Sequence, residues 1–263
     1  MSAQLLCYFS GLAFVRCGYG HYNRTFLLIW QNSRAPPTYR ECLQQHTDFN
    51  PPENRLSLIP PALLRDLGYS DETTLILDVG CNSGELSGAF YKHLVPEEQS
   101  DRRKVHLLGF DLDETLVQRA QEINPLPSRI TFIPLDITKD TNQLQDYLSQ
   151  HGCSHFHLCL CLAVTMWVHL NHGDSGLLQL LSRLSSMSQH LLLEAQPWKC
   201  YRSAARRLRK LGRSDFDHFK TLKIQGDVAD HAREHLERHC GMELIQSFGS
   251  TAWDRKLLLF RKT

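Results

Sequence analysis

From about residue 55 the chain alternates between short apolar runs and segments whose apolar residues return at three- and four-residue spacing. TLILDVG (74–80), VHLLGFDLD (105–113), RITFIPLDI (129–137) and HLLLEAQ (190–196) are nearly continuous in apolar residues, as expected of strands covered on both faces. Another such run, Cys159–Val164, opens CLCLAVTMWVHLNHGD (159–174), which then turns polar within a few residues. Helices are predicted between these runs over ELSGAFYKHL (85–94), DETLVQRAQEI (113–123), TNQLQDYLSQ (141–150) and SGLLQLLSRLSSMS (175–188). A short one in PPALLRDLG (60–68) is opened by proline and stopped by Gly68. The chain closes with a helix, DVADHAREHLERHC (227–240), and two strands on a short loop, MELIQSFG (242–249) and KLLLFRK (256–262). Alternating strands and helices imply βαβ units with right-handed crossovers. The prediction is an α/β fold with a seven-stranded, mostly parallel sheet and an antiparallel hairpin at one edge.

Residues 1–50 show no period and read as an irregular leader, so the ordered domain is expected over 51–263. A chain of 263 residues with 42% hydrophobic content can bury a full core. Net charge is +1, so any polyanion must be met by a local patch rather than a global field. The nine cysteines contain no CxxC pair and read as reduced thiols. No apolar run reaches the ~18 residues of a membrane span. LLCYFSGLAFV near the start lacks the basic residue that precedes a signal sequence, and Arg16 ends the apolar stretch. A monomer without a membrane anchor is expected, cytoplasmic with a nuclear fraction.

The first strand runs into DVGCNSGEL, which places Asp78, Gly80, Asn82 and Gly84 in a strand-to-helix turn. Glycines there let backbone approach a ligand, and the helix N-terminus favours negative charge. A dinucleotide fingerprint fails, because Asn82 stands where it needs its second glycine, and the G-K-[ST] of a P-loop is absent. What remains, D-x-G-x-x-x-G with Asp111 ending the next strand, resembles the first motif of Rossmann-like class I S-adenosylmethionine methyltransferases. The resemblance implies that the loop cradles the methionine part, that Asp111 takes the ribose hydroxyls and that Asp136 faces the adenine amino group. Leu112, Ile137 and Leu162, beside those strand ends, join the implied cofactor set.

Two further stretches are similar to the Bicoid-interacting family of RNA 5′-phosphate methyltransferases. Trp167, His169, Leu170, Asn171, Gly173 and Asp174 match its W-x-H-L-N-x-G-D pattern. Glu194, Gln196, Pro197 and Trp198 match E-P-Q-P-W, with Ala195 departing from proline. The resemblance runs over about residues 50 to 262 and is closest to the short type acting on 5′-monophosphate ends of small RNAs such as histidine tRNA or pre-microRNA. It implies Trp167, His169, Asn171 and Gln196 as the catalytic set and Arg55 as the group that pairs with the methionine carboxylate. Gly173 and Asp174 are expected to cap the next helix. Tyr22 and Arg24, in GYGHYNR (18–24), echo a family segment that closes over cofactor and substrate. Between that echo and FNPPENRL lie 24 residues, TFLLIWQNSRAPPTYRECLQQHTD (25–48), for which an insertion, an alternative exon and a faulty gene model stay open.

The basic segment KCYRSAARRLRKLGR (199–213) contains no acid, and Arg202, Arg206, Arg209 and Arg213 recur on one helical side. Beside the implied cleft it suits an RNA backbone, with Trp198, Lys199, Arg202 and Arg206 as substrate contacts. A solvated helix face is the plainer alternative. His231, His235 and His239 fall at successive helical turns but have no second ligand cluster, so an exposed face is expected and no metal. Two other readings stay open: a methyltransferase for a small molecule or protein, and an RNA-binding protein that has lost turnover.

Overall fold

Parallel strands buried on both faces are the framework on which everything else hangs. In the computed structural model, which describes residues 51–69, 73–96, 104–139, 141–212 and 214–263, seven strands form one sheet. They are β1 (Thr74–Val79), β2 (Val105–Asp111), β3 (Ile130–Pro134), β4 (Phe156–Leu162), β5 (Ser188–Glu194), β6 (Met242–Ser250) and β7 (Lys256–Lys262). Their order is β3-β2-β1-β4-β5-β7-β6, with β7 and β6 antiparallel at one end. β7 takes the inner position because Leu257, Leu258, Leu259 and Phe260 are all buried, whereas most of β6 is at least partly exposed. Register shifts along β6, between Leu244 and Gln246 and between Ser247 and Ser250, blunt that edge against further pairing.

The helices are α1 (Glu53–Leu56), α2 (Leu63–Asp66), α3 (Glu85–Leu94), α4 (Glu114–Ile123), α5 (Asn142–Gln150), α6 (Thr165–Met187), α7 (Trp198–Lys210) and α8 (Val228–His239). They cover both faces of the sheet, which divides the core into two apolar clusters. Among the described residues no helix is long and apolar enough to cross a membrane. The chain reverses direction across the sheet between β1 and β4, and that switch point opens a crevice at the strands' C-terminal ends.

Several predicted boundaries move. The helix expected over 60–68 contracts to α2, and β3 stops at Pro134, leaving Asp136 and Ile137 in a loop. The largest change is at TMWVHLNHGD, which does not prolong β4. Ala163 turns left-handed (φ 61) directly after the strand, and α6 starts two residues later rather than at 175. Within α6 the backbone breaks at Gly173 (φ 70, ψ −173), a conformation that suits glycine alone.

Candidate active site

A cavity of about 310 Å³ lies at the ends of β1, β2, β3 and β4. Asp111, 1% exposed, ends β2 on its wall. Its Oδ2 accepts the Asn82 amide at 3.0 Å and its Oδ1 the Asp113 amide at 3.0 Å. Burial pushes its carboxyl up, opposed by those two amides. A carboxylate at the cavity wall has acceptor capacity for neighbouring hydroxyls, as a ribose diol requires. Leu112, 46% exposed, forms a lip, and Phe110, Leu135 and Ile137 give an apolar lining suited to a planar base. Asp136 stands beside them with Oδ1 accepting the Thr138 amide (3.0 Å) and hydroxyl (2.6 Å) and Lys139 3.3 Å from Oδ2. Partial burial works to raise its carboxyl, but Thr138 and Lys139 outweigh that and hold it below the usual range.

The glycine loop closes the β1 side. Gly80 (φ 72) lines the cavity, and Asn82 turns left-handed (φ 52) with its Oδ1 on the Ser83 amide at 2.6 Å. Gly84 is outside the lining and has a packing duty. A Cβ there would lie 2.8 Å from the Phe132 ring and 2.9 Å from Ala120. Asp78 sits behind the loop, 3% exposed, accepting the Ser87 hydroxyl at 2.6 Å. Burial pushes its carboxyl up to about 7, against the pull of Ser87 and the Arg55 charge. Folding therefore favours the protonated form, and the stability this confers is full below the usual 3.8 and lost as pH rises through about 7. The ligand-free protein is expected to melt at a lower temperature at pH 8 than at pH 6. Asp78→Asn, which cannot ionise, is expected to flatten that difference. An undiminished pH slope in the variant would refute it.

On the β4 side, α6 presents Val164, Trp167, Val168, Asn171 and His172 to the cavity. These are positions i, i+3, i+4, i+7 and i+8, one face of a helix. Asn171 donates from Nδ2 to the Trp167 carbonyl at 2.8 Å. His172 is exposed on that wall, a position that an extended strand end does not single out; a helical period over 164–172 finds it.

The same period sends His169 the other way, and its expected catalytic role needs correction. It is fully buried, with Nε2 2.7 Å from Asp174 Oδ1 and Nδ1 3.0 Å from the Tyr201 hydroxyl. Burial lowers its pKa against the pull of Asp174, so the neutral ring is favoured. A carboxylate only accepts, so Nε2 donates to Asp174 and Nδ1 accepts from Tyr201. Neither nitrogen is left for a substrate. Gln196 is likewise buried and internal. Its Oε1 accepts the Thr165 hydroxyl and the Met166 amide, both at 3.1 Å, and its Nε2 donates to the Ala163 carbonyl, tying the start of α6 to the end of β5.

Arg55 is corrected as well. Its guanidinium is 4% exposed and pairs with Glu194 through Nε and, at 3.3 Å, Nη2. Arg255 Nη1 (3.0 Å) and Trp253 Nε1 (3.1 Å) also reach Glu194, so the bidentate carboxylate partner of Arg55 is this side chain. Leu162 is buried outside the cavity lining. Asp174 does not cap a helix; its carboxylate accepts the amides of Lys223 (2.9 Å) and Ile224 (3.1 Å).

Trp198 is half-buried at the start of α7, stacked on Tyr201 (centroids 4.9 Å) and Phe219 (5.8 Å, planes at 9°). Arg202, Arg206, Arg207, Arg209 and Lys210 are exposed along α7, with Arg209 3.1 Å from Asp215, and Lys199 pairs with Asp254 at 3.0 Å. His231 and His239 are exposed on α8, while His235 contacts Ser182 at 2.9 Å. Among the described residues no group of ligands could hold a metal. Tyr22, Arg24 and Arg213 lie outside the described residues. The thiols of Cys81, Cys159 and Cys161 are buried and pushed up by desolvation, so none is a ready nucleophile. The site as built binds and orients; it does not generate a nucleophile of its own.

The sequence pattern of the family described as Bicoid-interacting protein 3 (Bin3) matches residues 156–262. A pre-miRNA 5′-monophosphate methyltransferase of Danio rerio is 63% identical over 242 residues, 88% of this chain and 94% of that protein. An RNA 5′-monophosphate methyltransferase of Homo sapiens is 51% identical over 227 residues, 82% of this chain and 78% of that protein. Among solved structures, magnesium protoporphyrin IX methyltransferase with bound SAH superposes with a TM-score of 0.51 at 17% identity, covering 90% of this chain and 93% of that one. At that identity the likeness speaks for the fold, that of class I methyltransferases.

Proposed function

From the premise that the chain belongs to the Bicoid-interacting protein 3 family of RNA 5′-monophosphate methyltransferases, we propose how its cleft carries out that family's reaction. The chain is an S-adenosylmethionine-dependent methyltransferase that methylates the 5′-monophosphate of small RNAs. The observation that carries the reading is the identity across nearly the whole chain, joined to a switch-point cavity with the β2 acid on its wall. The residues present fit the cofactor. Asp111 would take the ribose hydroxyls, Leu112 and Ile137 flank the base, Asp136 stands near its edge, and Gly80 with Asn82 form the turn along its methionine part.

S-adenosylmethionine supplies an electrophilic methyl group on a sulfonium. A 5′-phosphate monoester has a second pKa near ~6, so near neutrality it is largely the dianion and needs no strong base. With the cofactor bound, a phosphate oxygen would take that methyl and the sulfonium would leave as a neutral thioether. What the chain contributes is in-line positioning and charge management. Trp167, Asn171 and His172 form the wall where acceptor and methyl meet. Gln196 and His169 hold that wall in place, and the exposed Arg202 and Arg206 take the RNA backbone. The test uses methyl-labelled S-adenosylmethionine and a hairpin RNA bearing either a 5′-monophosphate or a 5′-hydroxyl. Label is expected on the monophosphate RNA alone; equal labelling of both, or of neither, defeats the reading.

A further inference from the structure

Segment 214–224, between α7 and α8, is attached to α6, which carries the cleft wall, and to the start of α7 at four places, and Asp174 is the hub. Its Oδ2 accepts the Lys223 amide and its Oδ1 the Ile224 amide, while Oδ1 also holds His169. Phe216 packs edge-on to Trp167, whose ring lines the cavity (centroids 6.4 Å, planes at 60°). Phe219 stacks on Trp198. His218 rests on the bare backbone of Gly173, where a Cβ would come within 3.2 Å of its Nδ1. Asp215 is tied to Arg209 of α7, so the segment is also anchored to that helix. Lys220 and Lys223 are exposed along it.

We propose that Asp174 is a positioning residue: through His169 and the two amides it clamps segment 214–224 to the cavity wall, so that an RNA 5′ end meets a surface already formed by that segment and the basic face of α7. The inference rests on the RNA reading above. The break at Gly173 is what makes the clamp possible, since a continuous helix would carry Asp174 onward along the α6 axis instead of across to Lys223. His169, buried between Tyr201 and Asp174, fixes the carboxylate from behind. The docking geometry is therefore set before substrate arrives, which lowers the ordering cost of binding.

Asp174→Asn keeps the size of the side chain but replaces one acceptor oxygen by an amide donor, which cannot receive a backbone N–H. The expected result is a KM for 5′-monophosphate RNA raised by about tenfold, the effect of one lost charge-assisted hydrogen bond, with kcat and affinity for S-adenosylmethionine changed far less. Trypsin is expected to cut after Lys220 and Lys223 faster in the variant than in the wild type. Tyr201→Phe, which removes only the hydroxyl behind His169, is expected to shift KM the same way by a smaller factor. Faster cleavage with an unchanged KM would overturn the proposal, because the segment would then be released without consequence for RNA. Loss of cofactor affinity equal to the loss for RNA would also overturn it, by making Asp174 a general structural residue. Should Asp174→Asn not fold, Lys220→Ala/Lys223→Ala decides, since these exposed positions cannot unfold the core: a raised KM for RNA supports the surface, an unchanged one overturns it. Failure of the wild-type chain to label any monophosphate RNA would instead defeat the underlying function.

Discussion

Glu194→Ala is expected to destabilise the protein by about 3–5 kcal/mol, the cost of removing one member of a buried ion cluster. Glu194 is fully buried at the end of β5, where Arg55 from α1 and Arg255 and Trp253 from the β6–β7 turn converge on its two oxygens. Two guanidinium groups already share one carboxylate, and among the described residues Arg255 Nε is buried without a partner. Truncation would leave both buried guanidinium groups without the carboxylate they share. For a chain of this size each kcal/mol moves the midpoint by about 2–4 °C, so a fall of about 10 °C is expected by circular dichroism. Glu194→Gln, which keeps the shape and loses the charge, should fall between the two. An alanine variant melting within about 2 °C of the wild type would show that the cluster holds nothing together.

Asp111→Ala is expected to weaken S-adenosylhomocysteine binding by at least about 100-fold, because two hydrogen bonds to a charged acceptor each contribute about 1.5–3 kcal/mol. The effect on folding should be smaller. Asp111 itself lines the cavity, so water can enter the space that its carboxylate leaves beside the Asn82 and Asp113 amides. Titration calorimetry, with a melting curve as control, separates the two. Asp111→Asn keeps one acceptor oxygen and should lose less. An affinity within about threefold of the wild type for the alanine variant would remove Asp111 from the cofactor site.

The two variants probe residues of unequal legibility. Asp111 is legible directly: an acid at the end of a continuous apolar run, with a glycine turn one unit earlier, has few other uses. Glu194 stands out only as part of a pattern, and nothing along the chain announces that its partners come from positions 139 and 61 residues away. Arg55 looks like a ligand arginine for the same reason. Its chemistry, a fork seeking a carboxylate, is correct, but only the folded chain shows that Glu194 already supplies one. His169 and His172 make the contrast at closer range. As a strand end, 165–174 would make His169 a cleft residue; folded as a helix, the segment turns it inward and brings His172 out.

The strands, their parallel order of appearance and the acids that end them follow from sequence, because burial on both faces demands unbroken apolar runs and chemistry collects where those runs stop. The direction of each polar side chain in 163–174 does not. It depends on Ala163 turning left-handed and on Gly173 breaking the helix, and both are settled by contacts with β5 and with segment 214–224. Local pattern reports which residues must leave water. Which partner a buried polar group finds there is decided only when distant segments close on it, because hydrogen bonds and ion pairs are short-ranged and directional whereas burial is neither.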